Sequence, residues 1–177
     1  MNPFARRILG AALLDKRVYE EVEADSRATG QAVGIVLLAS VAGGIGRLGL
    51  GLLTPPALVA GVIGALVGWM AWAALTYLIG THLLPEPETR ADVGELLRTI
   101  AFASSPGLLR VFGVIPVLGG LIYATASIWM LVTMIVAVRQ ALDYRSTGRA
   151  IGVCAVGWAL SLVIASLIGI LFAPSVS

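Results

Sequence analysis

Apolar positions along this chain collect in long unbroken runs, not in the period-two alternation of a half-buried strand or the one-sided stripe of a soluble helix. Residues 31–46, 48–81, 111–138 and 150–177 contain no Asp, Glu, Lys or Arg. A helix needs about 20 consecutive apolar residues to cross the hydrocarbon core of a bilayer. The pattern therefore predicts spanning helices over about 31–53, 57–84, 118–138 and 150–172. Thr54-Pro55-Pro56 separates the first two, and Pro85-Glu86-Pro87-Glu88 closes the second; prolines in such clusters end helices.

Another stretch, 93–115, is harder to place. Only the uncharged residues Thr99 to Leu109 lie between Arg98 and Arg110, and Ser104-Ser105-Pro106-Gly107 interrupts them. As an α-helix that run covers about 17 Å, roughly half the hydrocarbon core. Arginines at its two ends extend the reach by snorkelling. Residues 3–28 follow another pattern: Phe4, Ile8, Ala11, Val18 and Val22 share a helical face broken by Asp15. That predicts an amphipathic helix along the cytoplasmic interface.

Charge decides the number of crossings. If 93–115 crosses, ten basic residues (Arg6, Arg7, Lys16, Arg17, Arg27, Arg90, Arg98, Arg139, Arg145 and Arg149) share one side and only Arg47 and Arg110 the other. If it does not cross, the division falls to eight against four. The positive-inside bias favours the first arrangement. The expected fold is thus an all-α polytopic membrane helical bundle: an interfacial segment 1–29, then a five-span domain 30–177. The N-terminus is expected in the cytoplasm and the C-terminus outside the cell (plasma or inner) membrane. Glu20, Glu21, Glu23 and Asp25 do not cancel the N-terminal signal, since acidic residues weigh little in the rule.

Composition agrees and excludes several chemistries. With 58% hydrophobic and 12% charged residues, the chain is not a water-soluble domain. A net charge of +2 gives no basis for a nucleic-acid partner. Cys154 is the single cysteine, so no intramolecular disulfide or cysteine metal site is expected, and a buried apolar role is. Ile8 to Leu14 is too short for the apolar core of a signal peptide, so insertion is expected to rest on the first span. No triad, phosphate loop, dinucleotide fingerprint or H-E-x-x-H motif occurs. Neither enzymatic activity nor a cofactor is expected.

Small residues mark the candidate interfaces, because close backbone approach drives helix association in lipid. Gly61, Gly64 and Gly68, with Ala57 and Ala65, recur at helical spacing, as do Gly30 with Gly34 and Ser40 with Gly44. Packing within the bundle is the first expectation for these faces and homodimerisation the second. Ser104, Ser105 and Pro106 form a candidate broken-helix site, since broken helices at mid-membrane bind ions or substrates in transporters. The plainer reading, placed above it, is a structural kink whose freed groups neighbours satisfy. Arg47 and Arg110 fall on the sparsely charged side, where lipid phosphate or water is the expected partner and an anion path at Arg47 the bolder one. His82 precedes Glu86 and Glu88 at a weak metal-site spacing but is read first as a boundary residue. The acidic cluster at residues 20–25 is read as a solvated face before a partner contact. Trp69 and Trp129, toward mid-span, are assigned to packing.

The stretch Ala101 to Leu142 resembles the core of the Yip (Ypt-interacting protein) membrane family. The likeness rests on Ala103 to Pro106, the Ile115-Pro116-Val117-Leu118-Gly119 turn, Trp129 within a helix, and the basic connector with Arg139 and Arg149. Upstream, Tyr19 to Asp25 and Ala28 to Ala32 look like the approach to the first span in prokaryotic relatives. The resemblance implies five spans and a cytoplasmic N-terminus. Eukaryotic members of the family bind prenylated Rab-type GTPases; their long N-terminal region is reduced here to residues 1–29, so that role is not carried over. The expected function is a non-enzymatic membrane scaffold or accessory subunit, with the bilayer and other membrane proteins or itself as partners. The alternative is a small transporter or channel using the broken third span.

Overall fold

The computed structural model describes residues 2–49, 51, 53–115 and 117–171, without the side chains of 165 and 167–171. Leu50 and Leu52 of the first expected span, Pro116 of the expected turn and Phe172 at the end of the fifth lie outside these residues. Among the described residues the structure is helical, without strands. It contains α1 (Pro3–Ala12), α2 (Lys16–Ala24), α3 (Thr29–Gly49), α4 (Pro55–Leu78), α5 (Val93–Ala103), α6 (Gly119–Ala141) and α7 (Thr147–Leu171). Among the described residues, four helical stretches are long and apolar enough to cross a membrane: Ser26–Gly49, Pro55–Leu83, Gly119–Ala141 and Thr147–Ile164.

Residues 3–28 form two helices instead of one. Leu14 takes a left-handed φ of 64°, and Asp15 caps α2 by accepting from the Arg17 amide. Together these turn the chain back as an antiparallel hairpin. Arg6 and Arg7 near the start of α1 pair with Glu21 and Asp25 near the end of α2. The shared apolar face found in the sequence survives the turn, because both helices bury it against α5 and α6. Val18, Tyr19 and Val22 pack with Phe102, Ala103 and Ala137, flanked by Phe4 and Ile8. Leu9 and Leu13 remain exposed on the other face. Trp129 of α6 donates its indole N–H to the Ala12 carbonyl at 2.7 Å, satisfying one of the carbonyls that the end of α1 leaves without an intrahelical partner.

Beyond Leu78, α4 widens into a π turn, Ile79–Leu83, in which the Leu84 amide bonds to the Ile79 carbonyl. Such turns mark places where something else engages the backbone. Here the buried Tyr144 hydroxyl donates to the carbonyls of Gly80 and Leu84. The loop that follows is held by charge: Glu86 pairs with Arg149 and Glu88 with Arg145.

The awkward stretch resolves into two unlike halves. Asp92 and Glu95 form a capping box that starts α5, satisfying two orphan amides reciprocally. The α-helix stops at Ala103, and Ser105–Val114 continues as a 3-10 helix packed between α3 and α6.

Candidate functional site

A 3-10 helix has three residues per turn, so positions three apart stack in a row. In Ser105–Val114 that row is Gly107, Arg110 and Gly113, and it lies along α3. Gly107 approaches Ala39, and Gly46 presses against the Arg110 carbonyl and the Gly113 α-carbon. A β-carbon on Gly113 would come within 3.1 Å of the Gly46 α-carbon, and one on Gly49 within 2.7 Å of the Val114 α-carbon. On α3 the close backbone approach is therefore at positions 46 and 49, while Gly43 meets only the side chains of Tyr123 and Arg110. Glycines six residues apart after Pro106, at 107 and 113, were the available sequence signal.

Where α5 ends, the proline frees carbonyls that an α-helix would have used. Hydroxyls take them up. Ser104 donates to Ala101, Ser105 to Phe102 at 2.5 Å, and Thr133 of α6 to Ala103 at 2.6 Å. Ser105 and Pro106 are buried. The polar groups expected to offer oxygen ligands are thus engaged with their own backbone, and Thr133 is the partner that the sequence did not reveal.

Arg110 is partly buried one turn further on. Its Nη2 donates to Ser127 Oγ at 2.7 Å, and its guanidinium stacks 4.6 Å from the Tyr123 ring centroid. Both partners are neutral. Among the described residues, Arg110 Nε is buried without an acceptor, as is the Trp72 indole nitrogen. Arg47, on the last turn of α3, is exposed toward the seam between α3 and α4 and makes no ion pair among the described residues. Trp69 is spoken for, donating to the Leu97 carbonyl at 2.9 Å and tying α4 to α5.

The glycines singled out on α4 lie elsewhere. A β-carbon on Gly61, Gly64 or Gly68 would meet nothing within 4 Å, and the same holds for Gly30. Gly34 has only the Phe4 ring edge, at 3.7 Å. Of Ser40 and Gly44, Gly44 is closely packed, directed into the Leu58 side chain. Over its most apolar stretch α4 is 6% buried, against 44% for α3. The α4 glycine face therefore remains open, flanked by exposed Ile63 and Val67.

Arg98, expected at a span boundary, is buried and donates from Nε to the carbonyls of Val22 at 2.9 Å and Glu23 at 3.1 Å. Glu23 beside it is pushed up to about 7, first by burial and then by the charges of Asp143, Glu95 and Glu20. Glu21 and Asp25 of the acidic cluster are paired, and hydrogen bonds from Arg6 to Glu21 and from Arg7 to Asp25 hold both carboxyls below the ordinary range, while Glu20 accepts from Gln140 Nε2 at 3.1 Å. His82 accepts or donates at Thr81 Oγ1 and meets the Tyr77 ring edge-on. Glu86 and Glu88 turn to arginines, and no group of three potential metal ligands gathers among the described residues.

A family model described as the Yip1 domain matches residues 15–168. No curated protein and no solved structure matches the chain.

Proposed function

Because the chain belongs to the Yip family, as a multi-pass membrane protein, we propose that it works without catalysis, as a scaffold or accessory subunit that holds another membrane protein through α4. The observation that carries this is the bare α4 face: a long apolar helix whose Gly61, Gly64 and Gly68 leave room for a neighbouring backbone. In lipid such a row favours another helix, because close approach replaces the missing hydrophobic drive.

The arrangement belongs to five crossings, with the N-terminus cytoplasmic and the C-terminus outside the cell membrane. Three points support that count. The chain from Ala101, beside Ala32 and Ile35, to Val114, beside Gly49, follows α3 along its length in the same direction. A 3-10 helix also rises about 2.0 Å per residue, so it reaches further than an α-helix of equal length. The ten-to-two division of basic residues is kept only with five crossings. Transport through the broken third span ranks below the scaffold reading, because Ser104, Ser105 and Thr133 spend their hydroxyls on the freed carbonyls.

The test is gentle detergent extraction at native expression level, followed by mass analysis of the intact particle. A stoichiometric partner lost in the Gly64→Leu, Gly68→Leu double variant supports the proposal. A chain that migrates alone, or an assembly indifferent to both substitutions, overturns it.

A further inference from the structure

Two cavities adjoin along the seam between α3 and α4. One, of about 180 Å³, is lined by Arg47, Arg110 and Tyr123 together with Ala57 and Gly61. The other, of about 270 Å³, is walled by Trp69, Trp72, Met130 and Met134. Ser40, Ala65 and Arg110 line both. Along α3 the pair runs from Arg47 back to Val36, and along α4 from Ala57 on to Trp72. The cationic and apolar ends thus keep one order on two helices that pack side by side. At the α-helical rise, Val36 to Arg47 covers about 16 Å.

The electrostatics of this seam are incomplete. Arg47 and Arg110 are the charged groups lining it, and none of its described lining residues is Asp or Glu. A part-buried guanidinium is costly unless paired, yet among the described residues Arg110 has only a serine hydroxyl and an aromatic face. A buried donor at the cationic end, Arg110 Nε, has no acceptor among the described residues, and an orphaned donor of this kind calls for a missing partner. The required partner is an anion at one end and an apolar chain at the other.

We propose that the seam between α3 and α4 binds one anionic phospholipid, its phosphate between Arg47 and Arg110 and an acyl chain in the cavity walled by Trp69 and Trp72. Arginine forks match phosphate oxygens in geometry and charge, and basic pockets between spanning helices are suited to anionic headgroups. The acyl chain reaches its cavity past Ser40 and Ala65, small residues that line both cavities. An inorganic anion would satisfy the arginines but leave the apolar cavity without an occupant.

The experiment measures thermal unfolding of the detergent-solubilised chain, and lipid retention by native mass spectrometry. The probes are phosphatidylglycerol, phosphatidylcholine of the same chain length, and inorganic phosphate. Phosphatidylglycerol is expected to be retained at one molecule per chain and to raise the unfolding temperature, while the other two do neither. Arg47→Gln and Arg110→Gln should each weaken its binding at least ten-fold, and Arg27→Gln, exposed on the N-terminal side of α3, should not. Should Arg110→Gln fail to fold, the exposed Arg47→Gln carries the test alone. Equal retention of phosphatidylcholine, equal stabilisation by inorganic phosphate, or binding indifferent to Arg47→Gln would each overturn the proposal.

Discussion

Arg98 of α5 places its guanidinium on the carbonyl of Glu23, joining the end of α2 to α5. The last turn of a helix has carbonyls without partners and the negative end of its dipole. A buried cation satisfies both, so Arg98 holds the N-terminal hairpin onto the bundle. Arg98→Leu is expected to cost about 2 to 3 kcal/mol of hairpin docking. The hairpin tip carries Lys16 and Arg17, both exposed, so the rate of tryptic cleavage there is the direct readout. Cleavage no faster than in the unsubstituted chain would show that Arg98 is not the tether.

Glu23 gives the same joint a pH dependence. Its pKa is raised to about 7 by burial, with Asp143, Glu95 and Glu20 adding repulsion and Arg98 opposing it. The stabilising contribution of a raised carboxyl is fully present below its unfolded value near 4.5 and is lost as pH rises through about 7. Asp25 and Glu21 act in the opposite sense, since their pKa values are lowered by Arg7 and Arg6 and their contribution disappears on acidification. Thermal stability should therefore fall between pH 5 and 8, roughly the range the Glu23 titration covers. Glu23→Gln should flatten that decline; a parallel decline in the variant would assign the pH dependence to other groups.

Two glycine positions make opposite predictions. At Gly46 a methyl group meets the Arg110 carbonyl and the Gly113 α-carbon, backbone that has no rotamer to yield. Gly46→Ala should destabilise by about 1 to 3 kcal/mol, the usual cost of overpacking. At Gly64 a methyl group meets open space. In an isolated chain, Gly64→Ala should stabilise by about 0.5 to 1 kcal/mol through helix propensity alone. Unfolding in mixed detergent micelles compares the two, and equal effects would contradict the placement of α3 against the 3-10 stretch.

Pro106→Ala separates a structural break from a working one. The hydroxyls of Ser104, Ser105 and Thr133 already satisfy the carbonyls near the break. Restoring an amide at position 106 should therefore change stability by only about 1 kcal/mol. Ion or osmolyte flux in reconstituted vesicles is expected to be absent before and after the substitution. Flux that depends on Pro106 would return the third segment to a transport role.

The long apolar runs made the four membrane-length helices legible, because length and hydropathy are local properties. What remained hidden was relational. The small-residue rows on α3 and α4 look alike in sequence, and only the distant Gly107, Arg110 and Gly113 row selects Gly46 over Gly64 as the tight position. Arg98 was visible as a charge near an apolar run, but its acceptors belong to α2, far upstream. The hairpin was half legible: Phe4, Ile8, Val18 and Val22 predict the buried face and Asp15 its break, while the reversal rests on a left-handed φ of 64° at Leu14, a residue type that rarely adopts it.

The π turn at the end of α4 makes the chain length between Ile79 and Leu83 matter as much as its composition. Deleting one residue there would let α4 continue as an ordinary helix, more regular by itself. Each residue advances an α-helix by about 100°, so everything after the deletion would be swung round by that angle. The carbonyls of Gly80 and Leu84 would no longer both face Tyr144, and the Glu86 and Glu88 loop would be carried away from Arg149 and Arg145. A conservative substitution in this turn is thus a smaller injury than a perfect, shorter helix.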